Sequence, residues 1–238
     1  MGARNQAQWT KQLISRLTEA MEAEGFAVRA PLERWPASGK LVWTAIHFGP
    51  ESQSIPRMTS TIDAHIERHR VGGLRLEGTA RIGSPAVDEL MRDLPGDGLS
   101  HGDIDRGRFD LLDSSLPPVI SIDSDPQLDA AVAQYMGYVR GPVQKWLTKR
   151  ATFPALFETA REPTIAPWET NPDPKLLRGT VVLGVLDGRV REAAALMRWY
   201  LQRNQFHRWD SFNDASAFDT ALRERFPAYA AARSDRLP

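Results

Sequence analysis

Five histidines are spread over the 238 residues, and two of them, His65 and His69, stand four positions apart. On a helix that spacing puts both imidazoles on one face, where they could hold a single ion. Glu67 follows the first histidine by two residues rather than one. The pattern is therefore not H-E-x-x-H, in which the glutamate acts as general base beside a zinc ion. A third ligand would come from His101-Gly102-Asp103-Ile104-Asp105, which presents His101, Asp103 and Asp105 to one side if the segment is extended. The chemistry open to such a set is metal-assisted hydrolysis, the ion acidifying a bound water and Asp103 or Asp105 accepting its proton. Against it, both His65 and His69 fall on or beside the apolar stripe through Ile62, where packed and hydrogen-bonded histidines also stand. Glycines at 98, 102 and 107 bracket the aspartates, and aspartate between glycines is ordinary turn chemistry.

A second constellation is Arg198-Trp199-Tyr200 with Arg203, Phe206, His207, Arg208 and Trp209. Cations interleaved with aromatic faces can stack on single-stranded bases. A chain with 30 basic and 30 acidic side chains has no surplus charge for a phosphate backbone, which argues against nucleic acid. The same residue types anchor protein–protein interfaces, so Trp168, Arg198, Arg208 and Trp209 are the candidate partner-binding residues. No nucleophile elbow, Walker loop, dinucleotide fingerprint or kinase signature is present, and no cofactor is expected.

These residues need a scaffold, and the composition is that of a globular one: 42% hydrophobic and 25% charged. There is no cysteine, which excludes disulfides, thiolate nucleophiles and cysteine-held zinc. No stretch is long and apolar enough for a membrane span, and the first residues carry no apolar leader, so the expected location is cytoplasmic. The 25 arginines against 5 lysines are interspersed with acids rather than clustered, the pattern of a solvated surface.

Apolar spacing predicts an amphipathic helix over 7–24, closed by Gly25. A β-branched and aromatic run predicts a strand over 41–48. Met58, Ile62 and Ile66 predict a helix over 57–70. Leu74, Leu76, Gly78, Ala80 and Ile82 alternate with Arg75, Glu77, Thr79 and Arg81, the period of a half-buried strand. Ser84-Pro85 opens a short helix, 95–118 reads as loop, and 118–122 as a last strand. Helices are then predicted near 127–139 and 142–150, and a short one from Pro154. A proline-rich connector with Trp168 spans 163–174, and 176–185 and 190–201 form an αα-hairpin. A final helix runs through Phe218, Leu222, Phe226 and Tyr229. The expected class is α+β: an N-terminal helix with a small, mainly antiparallel sheet, then an all-α half. The domain boundary falls between 1–122 and 123–238, the alternative being one continuous globular unit.

The order of helix, Gly25-Phe26, strand, Trp43-bearing strand and alternating strand at 74–82 resembles the small α+β immunity-type proteins of bacterial polymorphic toxin systems. Leu186-Asp187-Gly188-Arg189-Val190-Arg191-Glu192-Ala193 resembles the turn of a single tetratricopeptide-like hairpin. Both resemblances imply binding of another protein rather than chemistry. The expected function is thus a non-enzymatic cytoplasmic interaction protein of immunity or adaptor type. The alternative is the metal-assisted hydrolase built on His65 and His69 with a carboxylate of the 101–105 loop.

Overall fold

The computed structural model describes residues 3–37, 41–50, 55–68, 72–95, 103–164 and 169–235. Helix α1 (Ala3–Ala23) buries Trp9, Leu13, Leu17 and Met21 along one stripe. It ends where Gly25 takes a positive φ of 79°, a conformation that glycine adopts without steric cost. Strands β1 (Phe26–Ala37) and β2 (Leu41–Pro50) pair antiparallel, and β2 pairs antiparallel with β3 (Thr59–Arg68). Strand β4 (Leu74–Gly83) lies between β3 and β5 (Asp103–Arg108). The short β6 (Ile120–Ile122) pairs antiparallel with the start of β4, Leu74 opposite Ile122. The class is α+β, as the sequence implies.

Two segments of the first half depart from expectation. In place of the helix predicted over 57–70, Thr59–Arg68 forms strand β3. Ile62, Ala64 and Ile66 are buried on one face while Asp63, His65 and Glu67 alternate onto the other. A period of two therefore accounts for every apolar residue, including Ala64, which the helical spacing leaves out. Within the stretch predicted as loop, Asp103–Arg108 forms β5 and Phe109–Leu112 forms a short helix α3. Phe109 is why β4 carries Gly78: a Cβ there would stand 2.2 Å from the phenyl ring.

Further helices are α2 (Pro85–Met91), capped by the Ser84 hydroxyl, and α4 (Gln127–Tyr138), which continues through a π-helical turn (Val139–Val143) into α5 (Gln144–Thr148). Then follow α6 (Phe153–Thr159), α7 (Pro174–Leu186) and α8 (Val190–Leu201). The hairpin between α7 and α8 turns on Gly188, at φ 78°, with Arg189 N donating to Gly184 O at 2.8 Å. The predicted single final helix is two, α9 (Phe212–Arg225) and α10 (Pro227–Ser234). Phe226 is extended between them because proline lacks an N–H and disfavours helical geometry in the residue before it.

The chain gathers into two compact units, each drawn from three segments. The sheet unit comprises Met1–Gln53, Ser60–Arg81 and Arg106–Leu147. In it α1 packs on α4 and β1, and Tyr135 of α4 sits against Phe109 with ring centroids 5.1 Å apart. The helical unit comprises Ser54–Thr59, Ile82–Asp105 and Thr148–Pro238. Its core is the α7–α8 hairpin, with Leu177, Val181, Leu196, Met197 and Tyr200 fully buried, joined by Phe218, Leu222 and Tyr229 of α9 and α10.

Candidate functional site

The connection from α8 to α9 is a knuckle, residues 206–212, that pushes two aromatic rings into solvent. Trp209 is 74% exposed and Phe212 53%. Neither is loose. The Trp209 N–H donates to His207 Nδ1 at 3.3 Å, and the two rings lie 5.0 Å apart. Since Nδ1 accepts there, the imidazole proton sits on Nε2, which faces Glu169 Oε2 at 3.5 Å. The Asn171 backbone N–H, donating to Glu169 at 2.9 Å, holds that carboxyl below the usual carboxylate range, and His207 adds to the effect. The Arg208 guanidinium stacks over the Trp209 ring at 4.4 Å from its centroid, a cation–π contact that stiffens both. Phe212 is propped edge-on by Phe206 at 6.4 Å, and Phe206 by Tyr200 at 5.1 Å.

Beneath the aromatics the backbone is pinned by charge. Asp210 accepts from Arg178 through one oxygen and from the Tyr200 hydroxyl, at 2.6 Å, through the other. Arg178 and Asp210 are buried to within 2% and 1% exposure. Burial pushes the Tyr200 phenol well up, and the Asp210 carboxylate pushes it further, so it stays a donor. Ser211 then caps α9, its hydroxyl accepting from Asp214 N at 3.2 Å and donating to the Asp214 carboxylate at 2.6 Å. The Trp209, Asp210 and Ser211 N–H groups are thus each tied, to His207 Nδ1, the His207 carbonyl and Asp210 Oδ1 respectively.

The other predicted residues are placed as follows. Arg198 lies on α8 and donates to the Ala232 and Asp235 carbonyls, closing the end of α10. Trp199 is flanked by Arg161 and Arg203, at 5.9 and 5.1 Å from its ring. Asp105 on β5 is 9% exposed and accepts from Arg150 Nε at 2.6 Å. Asp103 precedes it on the same strand. Trp168, His69 and His101 lie outside the described residues. His65 stands on strand β3 rather than on a helix, so the helical argument for a shared ion does not apply. Among the described residues no group of three or more histidine, aspartate or glutamate side chains is arranged to hold a metal.

Sequence spacing alone did not single out His47, yet it joins a polar cluster on the sheet. Its Nδ1 lies 2.7 Å from Asp63 Oδ1, across the β2–β3 register that pairs these residues. Arg81 of β4 grips the same carboxylate, Nε to Oδ2 at 2.6 Å and an NH2 to Oδ1 at 3.2 Å. Behind it the Tyr135 hydroxyl donates to the Asp63 backbone carbonyl at 3.1 Å. His65 shares the face. Burial lowers its pKa below the ordinary value; Asp63 pulls it back up, while Arg106, His47 and Arg81 push it further down.

No protein-family model matches this chain, and neither does any curated protein or solved structure.

Proposed function

We propose that this chain is a non-enzymatic, cytoplasmic interaction protein of immunity or adaptor type that engages another protein through the Arg208–Trp209–Phe212 knuckle. The observation that supports the reading is the pairing of high exposure with rigid support. Trp209 presents most of its surface to solvent, yet its backbone, ring and neighbouring cation are all held in place. A large aromatic that loses little conformational entropy on docking is the residue type that dominates interface energetics. Arg208 belongs to the same surface, and Arg198 does its work inside the helical unit. That no described helix is long and apolar enough to cross a membrane accords with the reading.

Comparative capture tests it. Wild-type protein and a Trp209→Ala/Phe212→Ala variant are used as bait in native lysate, with retained proteins quantified. A partner held by wild type should be lost by roughly 30-fold or more in the variant, the scale of an interface hot spot. The variant's melting temperature should stay near that of wild type, because both side chains are surface groups. Equal retention of every partner by the two baits would overturn the proposal.

A further inference from the structure

The knuckle presents charge as well as its two exposed rings. Arg208 stacks on Trp209, and among the described residues its guanidinium N–H groups have no acceptor. Arg203 repeats the arrangement in the same helical unit, its guanidinium lying 5.1 Å from the centre of the Trp199 ring. Its hydrogen bonds go to neutral oxygens, the Asn171 amide at 3.0 Å and the Gln205 carbonyl at 3.4 Å. One framework joins the two stacks. Asn171 Nδ2 donates to Glu169 Oε1 at 3.0 Å, and the other Glu169 oxygen faces His207, whose ring accepts the Trp209 N–H. The acids around them are already answered. Glu169 is held by Asn171 and His207, Asp210 by Arg178 and Tyr200, and Glu158 pairs with Arg161 at 2.8 Å. Asp214 lies in the first turn of α9, where the Ser211 hydroxyl and the helix N-terminus offset its charge. Arg203 and Arg208 therefore remain as cations that no carboxylate of the described residues balances.

We propose that the knuckle's occupant is an acidic peptide segment of the partner protein, with carboxylates set among apolar side chains. The apolar groups cover Trp209 and Phe212, the Arg208 guanidinium takes one carboxylate, and Arg203 meets the remaining negative charge. This partner chemistry presupposes the knuckle as the docking surface and adds what must lie on the other side. A guanidinium stacked on a ring keeps its in-plane donors for a carboxylate, which it can grip through two parallel hydrogen bonds. Stacking also restrains the side chain beforehand, so less rotamer freedom is lost on docking. A phosphate would fit Arg208 alone equally well. A nucleic acid, however, brings a charge with every nucleotide, and a chain with 30 basic and 30 acidic side chains has no surplus to meet it. Glu158 and Asp214 on this surface would oppose it further.

The test is selection of a phage-displayed library of random linear peptides on the intact protein, with single-stranded oligothymidylate titrated in parallel. The enriched peptides should be rich in Asp and Glu with apolar residues between them. Made synthetically, they should bind Arg208→Gln and Trp209→Ala roughly tenfold or more weakly than wild type, the scale of one charge-assisted pair. Both changes fall at exposed positions, so the melting temperature should hold. Arg208→Lys, which keeps the charge and loses the planar fork, should restore only part of the affinity. Enriched peptides that are neutral or basic yet depend on Trp209 would overturn the acidic partner and leave the knuckle as a docking surface. Acidic peptides indifferent to both Arg208→Gln and Trp209→Ala would overturn it by placing their site elsewhere. So would a library without enrichment, or oligothymidylate binding that needs Arg208 and exceeds that of any peptide.

Discussion

A tryptophan held out in solvent contributes little to folding, so what supports it is informative. Under Trp209 the support is an ion pair, Arg178–Asp210, with Tyr200 as a third member. Removing one partner of a buried pair strands the other's charge, at a cost of about 3–5 kcal/mol. Asp210→Ala should therefore lower unfolding free energy by that order in urea, and should release the tie through which the knuckle is anchored. Replacing both ions by apolar residues (Arg178→Met with Asp210→Leu) should cost less than the single change, because no orphan charge remains. His65 gives a pH dependence of known sign. Its folded-state pKa lies below the ordinary 6.5, so above that pH it is neutral whether folded or unfolded. As pH falls through 6.5 the unfolded chain takes up a proton that the folded chain refuses, and stability drops. The loss levels off once the pH passes below the lowered folded value. Equilibrium unfolding of wild type and His65→Phe, measured across that window, should show this component in wild type and not in the variant.

At the scale of elements, close contacts decide which substitutions the fold tolerates. Gly78→Ala places a methyl group inside the Phe109 ring, and overpacking of this kind costs about 1–3 kcal/mol. Chemical denaturation checks it; an unchanged midpoint would mean that Phe109 moves without penalty. Much of this layer is legible in the sequence. Strand β4 announces itself by nine residues of strict alternation, and the α7–α8 hairpin by two apolar faces around Leu186-Asp187-Gly188-Arg189. Strand β3 was legible too, under a different period. Met58, Ile62 and Ile66 fit a helix when Ala64 is left out, whereas Ile62, Ala64 and Ile66 together alternate as a strand does. The error propagates to the site. Read as a helix, the segment pairs His65 with His69; read as a strand, it aligns Asp63 with His47 and Arg81. That second grouping is non-local, since register brings together residues 16 and 18 apart, and register is not written in any one segment. Trp209 and Arg208 could be found from residue type alone. Their buried supports could not, because Arg178 looks like one more surface arginine until burial is known.

For the molecule as a whole, the charges balance and both units are woven from separated stretches of chain. A fragment ending at residue 122 lacks α4, and with it Tyr135, which packs on Phe109 and donates to the Asp63 carbonyl. Such a fragment should show no cooperative thermal transition and little near-ultraviolet circular dichroism; a sharp melt would show that the sheet and α1 suffice without α4. The same weaving sets a timetable for the nascent chain. The last segment of the sheet unit ends at Leu147, whereas the helical unit waits for Thr148–Pro238. At about 5–20 residues per second, the ribosome takes roughly 5–20 s to supply those residues after the sheet unit is complete. Throughout that interval Ile82–Asp105, with the apolar face of α2 (Val87, Leu90 and Met91), has left the ribosome without the helices that will cover it. Chaperone demand should therefore peak on nascent chains between these two lengths, and the α2 segment is the place where a holdase would find its grip.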